Sequence, residues 1–414
     1  MELAPIALFG YNRPNHIQMT IDALKKNELA DKSILYVFLD GCRTSDDLDK
    51  INEVKRIVSQ ISGFKKCILF ESSENKGVDR SIREGISYVL ENHRRVIVVE
   101  DDIITSSKFL RFMNEALSYY EKYNHITSIG GFNFANSIPQ YYNEDIYLSL
   151  RSCSWGWATW KDRWEEVTWN VDVYDKFRKN RNLVEKFNQC GEDFTEMLEQ
   201  QLEGKLNAWD VYFCFNQMIR NKYTIIPVKS LTKNIGLDGS GIHCSNTNQF
   251  ELDVDDDFQW SFSEKLQINN DIMNQIRIKF MPKSYRELLQ DYKNKFDFMN
   301  RWLNTIFEGQ TISNNIISMY GIKCVVIYGH GTIGINLYKQ IRKEGILQIK
   351  CFIDKHFIND STELDCITLE EYCKKVNEND LIIITPYYYY KDIKDDIRKK
   401  IDKISVVSIE KLLV

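Results

Sequence analysis

Three adjacent carboxylates, Glu100, Asp101 and Asp102, follow directly on the apolar segment 96–99. Like charges this close repel each other, so their position after a predicted buried strand needs a reason. A divalent cation that bridges a diphosphate would relieve the repulsion and hold the carboxylates ionised. Two of them could instead be the acid and base of glycoside hydrolysis, although such a pair usually comes from separate strands. The plainer alternative is a solvated strand end or a helix N-terminus, which favours negative charge.

The segments around these three residues, the acidic triplet, alternate between strand-like and helix-like patterns. Short apolar runs occupy residues 6–12, 33–41, 67–72, 95–102 and 126–132, and helical spacing occupies residues 15–27, 46–62, 77–92 and 107–123. This alternation predicts an α/β fold with a parallel sheet that helices cover on both faces. Ligands of such sheets bind at the carboxyl ends of the strands. Asn12, Arg13, Asp40 and the acidic triplet stand at those ends, so we predict a binding site there.

The triplet belongs to VEDD (99–102), which is followed by a helical segment and then by ITSIGGFNF (126–134). This ordered set resembles the GT-A fold glycosyltransferases of the N-acetylglucosaminyltransferase I type and their bacterial relatives from polysaccharide gene clusters. The resemblance covers roughly residues 4–250 and is more specific than any one motif. It implies that Asp102 ligates Mn2+ or Mg2+ and, through the ion, the diphosphate of a UDP-sugar. It also implies that Asp101 bonds the ribose and Glu100 the transferred sugar.

Three further residues correspond to nucleotide contacts in that family. Arg13 matches a basic residue near the nucleotide, and Asp40 matches an acidic residue that reads the edge of uracil. Asp79 takes approximately the place of another contact, where the family example has a histidine. The chemistry agrees, because a carboxylate can accept the N3–H of uracil and a guanidinium offers a planar fork to phosphate. The alternatives are a loop charge for Arg13 and a turn residue for Asp40.

Residues 151–169 hold five of the eight tryptophans. Aromatic rings fit the C–H faces of sugars, and indole N–H groups donate to hydroxyls. The family's GLGW segment lies against donor and acceptor, and the WGW of this chain resembles it. We therefore predict a substrate wall made of four residues: Ser154, Trp155, Gly156 and Trp157. Because tryptophan is mostly buried, we predict core positions for Trp160 and Trp164.

Asp210 follows Trp209 at the start of an amphipathic helical segment. One interpretation is a helix cap, a position that aspartate favours. The other is a general base, which must reach the acceptor hydroxyl as that hydroxyl attacks opposite the diphosphate. The family's base lies in a matching Trp-Asp element, so the resemblance implies this role for Asp210. The alternatives for the base are three nearby carboxylates: Asp162, Glu165 and Glu166.

The segment 232–244 contains three glycines within six residues and one histidine, His243. It resembles the family's flexible loop, which closes over the donor. Glycines supply hinges and backbone N–H groups for phosphate. His243 could bind a metal or phosphate, or it is an exposed loop histidine.

The C-terminal region carries a second motif, YGHGTIG (328–334), between a strand pattern and a helix pattern. Asp354 follows Gly334 by 20 residues, which is the spacing of a ribose-binding acidic residue in a Rossmann fingerprint. The region resembles small nucleotide-binding domains appended to bacterial sugar-processing proteins. It is short for a dehydrogenase, which needs a separate catalytic half. We predict a structural or docking role here, in which the glycines also serve tight strand–helix packing.

The bulk properties limit the function further. The chain has 414 residues and a net charge of -5, which argues against nucleic acid as a partner. The sequence shows no signal-peptide pattern and no long apolar run. The cysteines are scattered, which is typical of reduced thiols. We predict a GT-A domain at 1–260, a helical connector at 261–320 and a Rossmann-like domain at 321–414.

These features together predict a metal-dependent, inverting glycosyltransferase for bacterial surface polysaccharide. The donor would be a UDP-sugar, the cofactor Mn2+ or Mg2+, and the acceptor a glycan or lipid-linked glycan. The prediction places the protein in the cytoplasm at the inner membrane face, with peripheral membrane association and a homo-oligomer both compatible with it. The alternatives are an NAD-dependent sugar oxidoreductase that uses the C-terminal GxGxxG, and a non-catalytic protein that binds sugar nucleotides.

Overall fold

A computed structural model describes residues 2–169, 174–239, 250, 252–355, 364–401 and 403–413. The chain forms two compact units, Met1–Lys283 and Ser284–Val414, here called unit 1 and unit 2. Among the residues described, no helix is both long and apolar enough to cross a membrane.

Unit 1 alternates strands and helices in its first half and is mostly helical in its second. Its strands are β1 (Ile6–Gly10), β2 (Ile34–Leu39), β3 (Lys66–Glu71), β4 (Arg95–Glu100), β5 (Ile103–Thr105), β6 (Ile126–Gly130), β7 (Ile146–Ser149), β8 (Trp157–Trp160), β9 (Tyr223–Pro227) and β10 (Thr232–Asn234). Its helices are α1 (Pro14–Lys25), α2 (Leu48–Ser59), α3 (Gly77–Asn92), α4 (Phe109–Tyr120), α5 (Lys161–Glu165), α6 (Tyr174–Arg178), α7 (Arg181–Asn188), α8 (Phe194–Leu202), α9 (Trp209–Ile219) and α10 (Asn270–Lys279).

The main sheet of unit 1 is mixed rather than wholly parallel. Its eight strands have the order β3-β2-β1-β4-β8-β6-β9-β7. The strands β1 to β4 are parallel, as predicted, whereas β8 runs antiparallel to both β4 and β6, and β7 runs antiparallel to β9. A separate antiparallel ribbon joins β5 to β10. The prediction of a purely parallel sheet was therefore incomplete, because β8 enters between two strands that precede it in the chain.

Helices cover both faces of this sheet because its central strands are apolar on both sides. On β1, Ile6 and Leu8 belong to the cluster that includes α1 and α4, while Ala7 and Phe9 belong to the cluster that includes α3 and α9. Alternate residues of a strand point to opposite faces, so a continuous apolar run produces this two-sided burial. The polar ends of β1, β2 and β4 are thereby left as the sites where ligand-binding side chains can gather.

Unit 2 is a smaller α/β unit that begins with a long helix. Its strands are β11 (Cys324–Tyr328), β12 (Gln348–Ile353), β13 (Cys366–Ile367), β14 (Asp380–Ile384) and β15 (Ser405–Ser408). Its helices are α11 (Lys283–Phe307), α12 (Ile312–Tyr320), α13 (Thr332–Glu344), α14 (Leu369–Cys373) and α15 (Tyr390–Lys400).

The sheet of unit 2 is parallel throughout, in the order β13-β12-β11-β14-β15. Val325 and Ile327 of β11 pack in the cluster with α11, α12 and α13, and Val326 and Tyr328 pack in the cluster with α14 and α15. The central strand is thus buried on both faces. A large mixed sheet and a separate parallel sheet confirm the predicted α/β class.

The predicted helical connector at 261–320 does not form a unit of its own. Ile272 and Met273 of α10 are buried in a cluster of unit 1, and Phe262 packs against the main core of that unit. Phe298 and Trp302 of α11 are buried in the core of unit 2. The division falls at residue 283 because the apolar side chains on either side of it belong to different cores.

Candidate functional site

The acidic triplet lies at the carboxyl end of β4, beside the carboxyl end of β1. Phe9 is paired with Glu100 in the parallel register, so the loop that leaves β1 runs past the triplet. Arg13 in that loop forms an ion pair with Asp101 through Nη2 and another with Asp102, with 2.9 Å between Nη1 and Oδ2. The predicted meeting of Arg13 with the triplet therefore occurs, and the guanidinium neutralises part of its charge.

Burial and mutual repulsion set the protonation of these groups. The pKa of Glu100 is raised well above its usual range, first by burial and then by the charges of Asp102, Asp101 and Asp210. Burial also raises the pKa of Asp101, and the Arg13 charge opposes that rise. For Arg13, burial lowers the pKa, but the two aspartates outweigh it and the net change is upward. Glu100 is therefore the carboxyl group of the triplet with the least support for its negative charge.

The start of the predicted donor loop lies against the triplet. The strand β10 pairs with β5, which follows the triplet directly, and the amide of Ile235 donates to the carbonyl oxygen of Asp102 at 2.9 Å. A Cβ at Gly236 would overlap Asp102 Oδ2 and lie 2.9 Å from Arg13 Nη1. A larger residue at this contact would have to displace the ends of these two side chains. His243, the predicted ligand in the same loop, lies outside the described residues.

Asp210 lies in the first turn of α9, partly exposed. Its pKa is raised by burial, while the charge of Arg151 opposes this rise and that of Asp193 adds to it. The charge of Asp210 in turn contributes to the raised pKa of Glu100, so the predicted base is electrostatically coupled to the triplet. The structure brings the two predicted parts of the site together.

Arg151 is a site residue that the sequence reasoning missed. It is buried and forms a bidentate ion pair with Asp193, with 2.8 Å from Nη1 to Oδ1 and 3.0 Å from Nη2 to Oδ2. Its guanidinium also stacks over the ring of Phe280, 3.4 Å from the centroid. A buried arginine needs such partners, and here its positive charge opposes the rise in the pKa of the candidate base. The only signal in the sequence was its place at the head of the tryptophan segment.

Asp40 holds helix α3 against the end of β2. Its Oδ1 accepts from the amides of Gly41 (2.9 Å) and Lys76 (2.8 Å), and its Oδ2 accepts from the amide of Gly77 (2.9 Å) and from Asn75 Nδ2 (3.2 Å). A carboxylate has about four acceptor positions. The protein fills them all, so the predicted contact with uracil stays a prediction that would need one of these bonds to be exchanged.

Asp79 lies buried in the first turn of α3. Its Oδ2 accepts from Arg83 Nη2 at 2.7 Å, and its amide donates to Asn207 Oδ1 at 3.0 Å. Its Oδ1 is also buried, and within the described part of the chain nothing donates to it. A buried acceptor without a donor is destabilising. This oxygen is a position that a ligand hydroxyl would satisfy, and the nucleotide contact of Asp79 stays a prediction.

The tryptophan segment divides between wall and core. Trp155 is partly exposed and packs edge-on against Phe132, with 4.7 Å between ring centroids. Trp157 is only 1% exposed and stacks on Trp209 at 4.9 Å, so it packs in the core and its contact with a substrate stays a prediction. The cause is its place in β8, between two buried strands.

Gly156 also has a packing reason. Its φ of +75° suits glycine, and a Cβ there would lie 2.7 Å from Thr232 Cγ2. Trp160 and Trp164 are buried, as predicted. Within the described residues the Nε1 of Trp157 has no hydrogen-bond partner, an unusual state for a buried indole.

The three alternative bases form ion pairs at the surface. Asp162 pairs with Arg163, Glu165 lies 3.9 Å from Lys161, and Glu166 pairs with Lys222. Their side chains are 46% to 63% exposed, and none is among the main causes of the raised pKa of Glu100, Asp101 or Asp210. We therefore keep Asp210 as the candidate base.

The glycine motif of unit 2 is closed by contacts of its own. A Cβ at Gly334 would overlap the carbonyl oxygen of Gly329, whose φ is +102°. Oδ2 of Asp354 accepts from the amide of His330 at 2.7 Å. The glycines thus serve close strand–helix packing, and the carboxylate predicted for a ribose already bonds the loop.

The described residues of unit 1 do not by themselves enclose a metal ion. In the part of the chain that the structure describes, no three His, Cys, Asp or Glu residues converge as metal ligands. The described side-chain contacts of Asp102, however, engage only Oδ2. Ions of the Mg2+ type are often held by one or two carboxylates together with substrate phosphates. The site fits an ion that a diphosphate brings with it.

No protein-family model matches this chain, and no curated protein sequence matches it either. Its fold is similar to that of a mannosyltransferase from Pyrobaculum calidifontis in complex with GDP-Man and Mn2+, at 13% identity over 39% of this chain and 48% of that one, with a TM-score of 0.28. It is also similar to S. aureus TarS, at 11% identity over 56% and 37%, with a TM-score of 0.32. A UDP-glucose pyrophosphorylase complexed with UDP-glucose matches at 10% identity over 54% and 90%, with a TM-score of 0.27.

The chain spans half or less of the first two of these proteins. At such identities and TM-scores the similarities assign neither a family nor an activity to this chain.

Proposed function

We propose that this chain is a glycosyltransferase that moves a sugar from a UDP-sugar to a glycan acceptor, with a divalent ion and with inversion at the anomeric carbon. The observation that carries this proposal is the gathering of Arg13, Asp101 and Asp102 at the carboxyl ends of β1 and β4, coupled through Glu100 to Asp210. The group of Arg13, Asp101 and Asp102 is suited to binding an anionic leaving group, and Asp210 is suited to a proton transfer.

The donor would bind at the edge of the sheet where the triplet lies. Asp102 would hold the divalent ion, and Arg13 could exchange its carboxylate partners for phosphate oxygens, to which its planar fork is equally suited. When bound, the ion would neutralise charge that develops on the departing diphosphate. Asp101 would then be freed to bond the ribose, as the family resemblance implies.

Asp210 would act as the general base. Its raised pKa makes it a stronger base than an ordinary aspartate. The acceptor hydroxyl would pass its proton to the Asp210 carboxylate while its oxygen bonds to the anomeric carbon. On the opposite side, the bond from that carbon to the diphosphate oxygen would break, and the nucleoside diphosphate would leave. This arrangement needs one base and inverts the anomeric configuration.

Glu100 would contact hydroxyls of the transferred sugar. A carboxyl group with a raised pKa can be protonated, and it can then donate as well as accept hydrogen bonds. Trp155, partly exposed and two residues before the strand β8 that pairs with β4, would supply the apolar face for the sugar ring.

The role in surface polysaccharide synthesis at the inner membrane face rests on the family resemblance. The dehydrogenase alternative has less support, because close strand–helix packing already accounts for the glycines of its motif.

The test is a thermal-shift panel of nucleotide sugars with and without Mn2+, followed by measurement of nucleoside diphosphate release with glycan acceptors. We expect the largest shift from a UDP-sugar together with Mn2+, and release that depends on Asp210. A shift produced by NAD alone, accompanied by hydride transfer, would support the dehydrogenase instead. Tight binding of a UDP-sugar with neither transfer nor hydrolysis would identify a binding protein and reject the proposal.

A further inference from the structure

Helix α11 carries an exposed apolar stripe with a strict repeat. Its spacing alternates between four and three residues over three heptads, and 44% to 66% of each member is exposed. We call the following seven residues the α11 stripe: Tyr285, Leu289, Tyr292, Phe296, Met299, Leu303 and Ile306. A repeat of 3.5 residues is the pattern of a coiled-coil seam, which is narrower than the face that packs a helix into a globular core.

The same helix already has a separate face for its own core. Phe298 and Trp302 are buried, with Phe298 stacked on Tyr387 at 4.4 Å and Trp302 Nε1 donating to Gln340 Oε1 at 2.6 Å. These anchors fall between the stripe positions. The stripe is therefore a second apolar surface, beyond what the fold of unit 2 requires.

We propose that the α11 stripe pairs with the α11 stripe of a second copy of this chain. The seam calls for a partner helix with the same repeat, and a second copy presents one, as two-fold homodimers require. At about half exposure, seven side chains of roughly 200 Å2 leave on the order of 700 Å2 per copy. A dimer would bury about twice that area, which lies within the range of stable interfaces.

The C-terminal part of the stripe supplies further room for packing. Met299, Leu303 and Ile306 form one wall of a groove of about 610 Å3 beside α13. A second helix on the stripe would insert side chains into this groove. Position 294, on the opposite side of α11, is polar and exposed, as a solvent-facing coiled-coil position should be. The inference is independent of the proposed activity.

The test is sedimentation equilibrium of the full chain over a wide concentration range. We expect a monomer–dimer equilibrium for the natural chain. Phe296→Glu should weaken the dimer on the order of 100-fold or more, because each dimer would bury two carboxylates. Asn294→Glu places the same charge on the far side of the same helix and should leave the dimer unchanged. Circular dichroism and melting of both variants separate loss of pairing from loss of folding, and Leu303→Gln provides a milder second test.

A natural chain that stays monomeric at every concentration would overturn the proposal, and so would a dimer that Phe296→Glu and Leu303→Gln leave intact. Binding to vesicles of phosphatidylglycerol and phosphatidylethanolamine tests a third contrary result. A monomer that binds them, and loses this binding with Phe296→Glu, would assign the stripe to a membrane surface and reject the dimer.

Discussion

The carboxyl ends of the parallel strands carry different residues and contacts in the two units of this chain. In unit 1 the end of β4 carries three carboxylates, and Arg13 pairs with only two of them. In unit 2 the end of β11 carries glycines, and Asp354 bonds the amide of His330 in the loop itself. The first end holds charge that the fold does not fully satisfy, and the second is closed by its own contacts.

This difference indicates which unit carries a functional site more clearly than either sequence motif does. A carboxyl group whose pKa is raised weakens the fold when it ionises, so retaining it needs a purpose outside the fold. A glycine that avoids a clash is fully explained by packing. On this comparison, unit 1 carries the candidate chemistry, although the GxGxxG of unit 2 is the more familiar motif.

The largest effect should come from Asp210. Asp210→Asn removes the proton acceptor without changing the size of the side chain, and we expect transfer to fall by roughly 100- to 10,000-fold. Asp354→Asn is the matched change in unit 2 and should leave transfer unaltered. Release of nucleoside diphosphate with acceptor measures both. Equal losses in the two variants would erase the functional contrast between the units.

Gly334→Ser should be the most damaging change to unit 2. Its Cβ would overlap the carbonyl oxygen of Gly329, and moving backbone in a packed core costs about 3 kcal/mol or more. Gly331→Ser is the control, since nothing lies within 4 Å of a Cβ there and serine suits a helix N-cap. Hydrogen exchange of β11 and β14 reports on unit 2 by itself. If both variants exchange alike, packing does not explain the glycine motif.

Removal of the candidate metal ligand should have a smaller effect that depends on the nucleotide. In Asp102→Asn, we expect the affinity for UDP in the presence of Mn2+ to fall by about 10-fold or more, because one carboxylate ligand is lost. Mn2+ without UDP should bind both proteins far more weakly, because we propose that the diphosphate supplies part of the ligands of the ion. Calorimetry measures both. Strong binding of Mn2+ alone to the natural chain would contradict the proposal that the diphosphate brings the ion into the site.

The smallest effect should be a gain in stability from Glu100→Gln, on the order of 1 kcal/mol at neutral pH. The folded pKa of Glu100 is raised, so the protonated form favours the folded state and ionisation weakens it. The gain should vanish below the unfolded pKa of about 4.3 and grow as pH rises toward the folded value. Denaturant unfolding at several pH values tests this sign. A variant less stable than the natural chain at neutral pH would show that Glu100 is a structural residue.

Much of unit 1 was predictable because its strands are continuous apolar runs. The predicted runs at 6–12, 33–41 and 95–102 correspond to β1, β2 and β4. A strand that is buried on both faces is a continuous apolar run, so it can be identified without knowing which strands pair with it. The meeting of Arg13 with the acidic triplet followed, since parallel neighbours end at one edge of a sheet.

The tryptophan segment was harder to predict. The short strand β8 is defined by pairing with β4 and β6, far away in sequence, and its own residues carry no alternation of polar and apolar types. Its burial turns Trp157 into core, and the role of Arg151 depends on Asp193 beyond that strand. Contacts of this range are invisible to any local pattern.

The contact of Gly236 with Asp102 and Arg13 has a consequence for natural variation of this chain. A mutation to any other amino acid at this position adds an atom where the ends of two charged side chains lie, so the ion pair of Arg13 with Asp102 must move to admit it. We expect homologues to vary more freely at neighbouring loop positions than at this one. In a homologue with a larger residue there, we expect this ion pair to be displaced or one of its two partners to be replaced.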